Sequence, residues 1–419
     1  MNNQKTFNRG YVILGAILIQ LALGAIYAWS VFTPSLIEAG WSKSNTQLVF
    51  SVGLVSFAIV MVFAGRKLNV WGPQKLTMIG GAILGVGYIL AGLFGGSSLI
   101  LLTIFIGLIG GGGIGLAYVV PIAVGMRWFP DKKGMITGLA VAGFGFGAMF
   151  WVKLAGAWGH LIDNVGLSTT FIIYGVAFAI MVIIGGLWMK FPEEGWVPFG
   201  FKGEAFKRSG GTCEEWEFSC KEMFFTPQFY LIFLTFVFSA GAGLMSIGLM
   251  KLYPMEALMN NGISAAEASA IAGTAMAVFF ALANGMGRIV WGIVSDKIGR
   301  KKSIIIMTAT QGVIVILFTY MAGNEILLYL GATLIGFNFG GNFALFPSYT
   351  ADTFGAKSVG MNYPFIFLAY GVGGLLGPIL GGKLGDTGNF TLAFTISGIA
   401  VLLGTVLTIM VKQAKKADG

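Results

Sequence analysis

Residues 284–300 read NGMGRIVWGIVSDKIGR. The stretch begins inside an apolar run and ends in a cluster of charge. Arg288 lies two helical turns before Asp296, which at 1.5 Å per residue puts it about 12 Å inside the membrane edge that Asp296 marks. An arginine at that depth costs at least about 2.5–3.5 kcal/mol to insert. Such a charge is tolerated where it faces a cavity or a partner, so Arg288 is the first candidate functional residue and its partner is the question.

The chain around it is 419 residues long, 56% hydrophobic and 10% charged, where soluble domains carry roughly 25% charged residues. Apolar runs long enough to span a bilayer fall near 11–34, 46–66, 75–94, 98–126, 134–160, 168–190, 228–253, 265–294, 303–322, 325–350, 361–384 and 389–411. The first run is too long for the core of a cleaved signal peptide, so a first transmembrane helix is expected. The reading is an all-α polytopic membrane protein with twelve transmembrane helices in two six-helix halves. Residues 1–190 and 228–419 form the halves, and 191–227 is a Gly-, Pro- and charge-containing loop with room for one short interfacial helix.

The net charge of +9 reflects topology, and no nucleic-acid partner is expected. Of the 26 Lys and Arg, only Lys43, Lys251 and Lys383 fall on one side of the membrane, and Lys153 and Arg288 lie within spans. The rest collect with both termini on the other side, which the positive-inside rule makes cytoplasmic. A multi-pass protein of the inner or plasma membrane is expected. Cys213 and Cys220 have no histidine nearby and make a poor metal site. No cofactor or metal is expected.

The halves repeat. Asn69-Val-Trp-Gly72 recurs as Asp296-Lys-Ile-Gly299, 227 residues on. Pro121 recurs as Pro347, Gly134-Met135 as Gly360-Met361, and Gly145-Phe-Gly147 as Gly371-Val-Gly373, each 226 residues on. Matches at offsets of 226 to 227 in equivalent helices indicate a parallel duplication, the build of a rocking transporter with its site between the halves near mid-membrane.

Asp296-Lys-Ile-Gly299-Arg300 after Gly292 resembles the signature of the major facilitator superfamily between its eighth and ninth helices. The first-half copy, residues 65–72, carries Asn69 where that signature often has Asp. Residues 127–134 (RWFPDKKG), 226–229 (TPQF), 346–348 (FPS) and Asn362-Tyr363 narrow the likeness to the oxalate:formate antiporter family, which is related to the monocarboxylate transporters. The resemblance implies that Arg288 pairs with a substrate carboxylate and that Tyr118 and Tyr27 line the cavity. It also implies departures. The oxalate exchanger's second cation, a lysine in the eleventh helix, is Tyr370 here. Its tenth-helix tyrosine is Phe343, and its first-helix glutamine is Ile26.

The residues themselves suit one carboxylate. A guanidinium is a planar fork matched to a carboxylate. Asn284, one turn before Arg288, shares its helix face and either bonds a substrate oxygen or holds the arginine's rotamer. Asparagine takes up no proton, so the aspartate of many animal monocarboxylate transporters has no equivalent here. Lys153 is a second anion contact, a titrating group, or a lysine that snorkels to the interface. Tyr27 and Tyr118 are cavity hydroxyls or ordinary buried aromatics, and Phe339, Phe343 and Phe367 are packing or gates. Trp29, Trp128, Trp151 and Trp188 are candidate interfacial anchors. Gly292, Asp296, Gly299 and Arg300 form the conformational signature.

The expected function is a secondary carrier of a small monocarboxylate of the lactate, pyruvate, formate or acetate class. It exchanges anions or carries a proton with the anion, and works in the lipid bilayer as a monomer. The alternatives are an oxalate or other dicarboxylate exchanger, with Lys153 supplying the second cation, and a transporter-like carboxylate sensor. No nucleophile-and-base pair, metal cluster or phosphate loop suggests an enzyme.

Overall fold

The computed structural model describes residues 8–41, 43–96, 98–130, 132–155, 159–193, 196 and 217–412. Both chain ends, Cys213 and most of the expected loop 191–227 lie outside that set. Among the described residues, twelve helices are long and apolar enough to cross a bilayer: α1 (Gly10–Trp29), α2 (Leu48–Trp71), α3 (Pro73–Gly95), α4 (Leu99–Trp128), α5 (Lys133–Ala155), α6 (Leu161–Gly186), α7 (Pro227–Leu249), α8 (Ala265–Ile298), α9 (Arg300–Met321), α10 (Glu325–Phe354), α11 (Val359–Gly385) and α12 (Phe390–Met410). Hydropathy places all twelve because lipid leaves backbone amides no partner outside a helix. The one sizeable shift has a local cause. The helical path of α6 starts at Leu161, not near 168, because two helices meet there at Gly166, whose backbone (φ 77°, ψ 170°) is not helical, and the second begins where the apolar run does. The short helix expected before α7 spans Cys220–Phe224 and is held by a Ser219–Glu222 capping box.

Three of the four candidate anchor tryptophans are core residues. Trp29, Trp128 and Trp151 are buried. Trp151 donates to the Leu21 carbonyl at 2.8 Å and stacks edge-on against Tyr174 and Phe178. The indole N–H groups of Trp128 and Trp151 find backbone carbonyls, those of Lys190 and Leu21, which removes the need for an interfacial partner.

Small residues set the helix spacing, as expected where lipid gives no hydrophobic push between helices. Gly113 of α4 lies against Gly80 and Leu84 of α3, and Gly373 of α11 against Gly241 of α7. The duplication is visible in the backbone. Gly72 and Gly299 take the same left-handed conformation, φ 79° with ψ 155° and φ 91° with ψ 150°. Gly292 of α8 faces the Gly134 carbonyl of α5, and its counterpart Gly65 of α2 faces the Gly360 carbonyl of α11. Both contacts join the two halves at the Asp296 end of the bundle, and a Cβ at either glycine would collide with backbone.

Candidate functional site

Arg288 reaches the seam between the halves because its own helix is stripped of bulk around it. Gly285 packs under Phe146, and Gly287 under the Phe337 carbonyl of α10. Gly138 of α5 approaches the Arg288 carbonyl so closely that a Cβ there would collide. With α5 and α10 drawn in on both sides, the long side chain extends into the space between them. It is 0% exposed. Nε donates to Asn284 Oδ1 at 3.2 Å, and one terminal nitrogen donates to the Val141 carbonyl at 3.0 Å. The plane of the guanidinium lies 4.1 Å from the Phe343 ring centroid and 5.3 Å from that of Phe144. These cation–π contacts hold a desolvated cation without neutralising it. The other terminal nitrogen, Nη2, has no protein partner, and among the described residues no carboxylate pairs with Arg288. Asn284 therefore spends its side-chain oxygen on the arginine's rotamer.

The tyrosines arrive from both halves. Helix α1 tightens to a 3-10 turn over Gly24–Val31, and Gly24 presses on the Phe144 carbonyl. That places Tyr27 at the seam, where its hydroxyl bonds the Tyr370 hydroxyl of α11 at 2.6 Å. Tyr118 of α4 is 0% exposed, and its hydroxyl makes no hydrogen bond of ordinary length but lies beside the Arg288 guanidinium. Both Tyr27 and Tyr118 lie within electrostatic reach of the arginine. Phe343 packs edge-on against Tyr370 (5.4 Å) and against Phe339 (5.3 Å), which in turn tilts over Tyr27 (6.4 Å). The result is a closed aromatic cage around one cation and three phenolic hydroxyls.

Arg288, Asn284, Tyr27, Tyr118, Tyr370, Phe339 and Phe343 are thus brought together. Lys153 is not. Val141, which touches Arg288, and Lys153 are twelve residues apart on α5, about 18 Å along the axis. No anion of a few carbons spans that distance, and Lys153, half-buried near the end of its helix, fits the snorkelling alternative. Lys153→Met is expected to leave substrate uptake and its pH profile within about twofold of wild type. Loss of uptake in that variant, with normal membrane insertion, would restore Lys153 to the mechanism.

Phe144 and Phe57 were not singled out from the sequence. Phe144 meets Tyr27 and Tyr118 edge-on at 5.1 and 5.5 Å, and Phe57 meets Tyr118 at 5.0 Å. Phe144 did carry a signal. It stands between Gly143, which packs on α1, and Gly145, which packs on Gly285 of α8. It is the one large side chain at a point where two neighbouring helices close in. Ile26, at the position of the family's glutamine, faces an apolar cleft with Trp29, Phe50 and Tyr88 inside the first half, not the cage.

At the Asp296 end the signature residues close the seam. Asp296 Oδ1 accepts the Gly134 N–H at 3.0 Å, and Oδ2 the Met135 N–H at 2.8 Å, so a carboxylate of α8 caps the amino end of α5 in the other half. Arg300 pairs with Asp296 at 2.5 Å and with Asp352 at 3.3 Å, and Lys133 of α5 also pairs with Asp352 at 3.3 Å. A carboxylate at a helix N-terminus and a charge-assisted network both strengthen closure.

Two duplicated six-helix halves, a buried cation at their seam and a charged clasp at one end are the build of a membrane transporter. The chain belongs to the Major Facilitator Superfamily, whose family model matches residues 12–271 and 231–418. It is 30% identical to the MFS-type transporter YhjX of Escherichia coli over 89% of this chain and 87% of that one. It is 27% identical to the oxalate:formate antiporter of Oxalobacter formigenes over 96% of this chain and 90% of that one. Among solved structures, the transporter FucP in its outward conformation superposes with a TM-score of 0.68 at 16% identity, over 97% of this chain and all of FucP.

Proposed function

We propose that this protein carries a small organic monocarboxylate of the lactate, pyruvate, formate or acetate class, by alternating access of its two halves. The observation that carries the reading is Arg288, fully buried, with a terminal nitrogen that makes no ordinary hydrogen bond, beside a Tyr118 hydroxyl that makes none either. Two donors without acceptors, one of them charged, match the oxygens of one carboxylate. An isolated buried charge is costly, so closing the cage empty is disfavoured and closing it on an anion is not. With Asn284 in place of an acid, no carboxylate among the described residues pairs with Arg288 to offer a proton-linked alternative. Anion-for-anion exchange is therefore the mode the site favours. The substrate side of the 27%-identical oxalate:formate antiporter suggests a dicarboxylate reading as well. That reading needs a second cation, and the position is occupied by Tyr370, bonded to Tyr27.

The test is counterflow in proteoliposomes against a panel of mono- and dicarboxylates, with and without a pH gradient. Labelled lactate, pyruvate, formate or acetate should enter against an internal monocarboxylate with no gradient imposed. Counterflow of oxalate alone would overturn the monocarboxylate assignment, tight binding without flux would favour a sensor, and strict dependence on a pH gradient would overturn exchange. Tyr370→Lys should shift preference toward a dianion by about tenfold, the size of one added charge-assisted contact. Equal loss of oxalate and formate binding in that variant would show that this face of α11 does not meet substrate.

We also propose that the Asp296 end, with the 191–227 connection, faces the cytoplasm, on the charge distribution. Cys220, half-buried and free, lies at that end. Its modification by an impermeant thiol reagent outside intact cells would reverse the orientation.

A further inference from the structure

Tyr363 of α11 buries a hydroxyl that bonds nothing in this structure. The residue is 0% exposed, and its phenolic oxygen makes no hydrogen bond. A phenylalanine would fill the same space without burying an unsatisfied polar atom. The hydroxyl therefore contributes nothing to the closed state, and its surroundings indicate where it is used.

Residues 363, 367 and 370 fall on one face of α11, at i, i+4 and i+7. Tyr370 belongs to the cage through its hydroxyl bond to Tyr27. Phe367 stacks on Tyr370 at 5.0 Å, lies 5.3 Å from the Tyr118 ring of α4, and meets the Tyr363 ring edge-on at 5.7 Å. Tyr363 thus extends the cage wall by one ring. Seven residues of helix set it about 10 Å nearer the Asp296 end than Tyr370.

Beyond Tyr363 the seam is shut. Three residues before it, the Gly360 carbonyl faces Gly65 of α2, and Pro364, directly after it, also packs on Gly65. Leu68 of α2, 1% exposed, covers Gly360. Tyr363 therefore stands between the cage and one of the two glycine contacts that close the Asp296 end. A donor without a partner in the closed state is available to a ligand once that contact parts.

We infer that Tyr363 is a further substrate-binding residue, on the Asp296 side of the cage: when Gly65 and Gly360 separate, its hydroxyl donates to an oxygen of the anion as the anion moves between Arg288 and that end. That role presupposes the carboxylate reading of Arg288. The phenol acts only as a hydrogen-bond donor and keeps its proton. The anion then has two contact points in series, and its affinity from the two sides of the membrane depends on different residues.

Tyr363→Phe removes the hydroxyl and keeps the ring against Phe367. Exchange of labelled formate, acetate, lactate and pyruvate, measured in right-side-out and inside-out membrane vesicles, separates the two faces. For a transported anion presented at the Asp296 end, KM should rise by about tenfold in Tyr363→Phe, the loss of one hydrogen bond to a charged group. From the opposite side, KM should stay within about twofold of wild type. Without substrate, purified Tyr363→Phe should melt at or above the wild-type temperature, because the hydroxyl it lacks had no partner. Equal changes of KM from both sides, no rise at the Asp296 end, or a lower melting temperature would each overturn the assignment. Arg288→Ala, assayed in parallel, tells that failure from failure of the carboxylate reading. Loss of exchange in Arg288→Ala beside wild-type behaviour of Tyr363→Phe removes only Tyr363 from the site. A wild type that exchanges none of the four anions, or an Arg288→Ala that exchanges them normally, overturns both.

Discussion

Arg288→Ala is expected to abolish substrate binding while leaving the bundle folded. Truncating one partner of a buried, hydrogen-bonded charge pair costs 2–5 kcal/mol or more, so the affinity for a transported monocarboxylate should fall by at least about 30-fold. The fold should tolerate the change because no carboxylate pairs with Arg288 among the described residues. What is lost is one bond to Asn284, one to the Val141 carbonyl, and the contact with Phe343. Against that, a desolvated charge is removed, which is itself favourable. The unliganded variant should therefore melt near the wild-type temperature. Arg288→Lys keeps the charge and loses the planar fork, so it should fall between the two. The measurement is thermal stabilisation by formate, acetate, lactate or pyruvate in detergent, beside uptake in liposomes. If Arg288→Ala is stabilised by the transported anion as much as wild type, Arg288 is not the carboxylate site.

Asp296→Ala should disable the cycle at a different point. Both oxygens of Asp296 are committed to N–H groups of the opposite half, and Arg300 completes the clasp. These bonds are present only when the Asp296 end is closed, so their loss destabilises that state and not its open counterpart. Exposing two helix N-terminal donors and freeing Arg300 amounts to at least about tenfold in the equilibrium. Exchange should slow by a similar factor, because each turnover must pass through closure at that end. Spin labels at Lys132 and Lys297, one in each half, should report a population at longer distance in the variant. Wild-type exchange with a wild-type distance distribution would remove the clasp from the mechanism. Asp296→Asn, which keeps an acceptor without the charge, separates the electrostatic part from the hydrogen bonds.

The sequence alone determined what the bilayer enforces in one dimension. Twelve apolar runs had to be helices because lipid leaves no other way to satisfy the backbone. The duplication followed from pairs such as Gly134 and Gly360, each of whose carbonyls meets a glycine of the opposite half. Arg288 stood out because its depth could be counted from Asp296 along a single helix.

What the tertiary structure decided is everything that depends on how helices are turned toward one another. The Tyr27–Tyr370 hydrogen bond joins residues from opposite halves, and no periodicity within either helix announces it. Lys153 lies nearer the outer end of its helix by sequence, and the contact of Arg288 with Val141, twelve residues back on α5, set how far it stands from the cage. Phe144 became a cage residue because the glycines on either side let α1 and α8 close around it. Hydropathy and spacing constrain each helix against the lipid, whereas seam contacts are fixed by rotation and depth between helices. Those are set by glycine approaches that involve both partners at once.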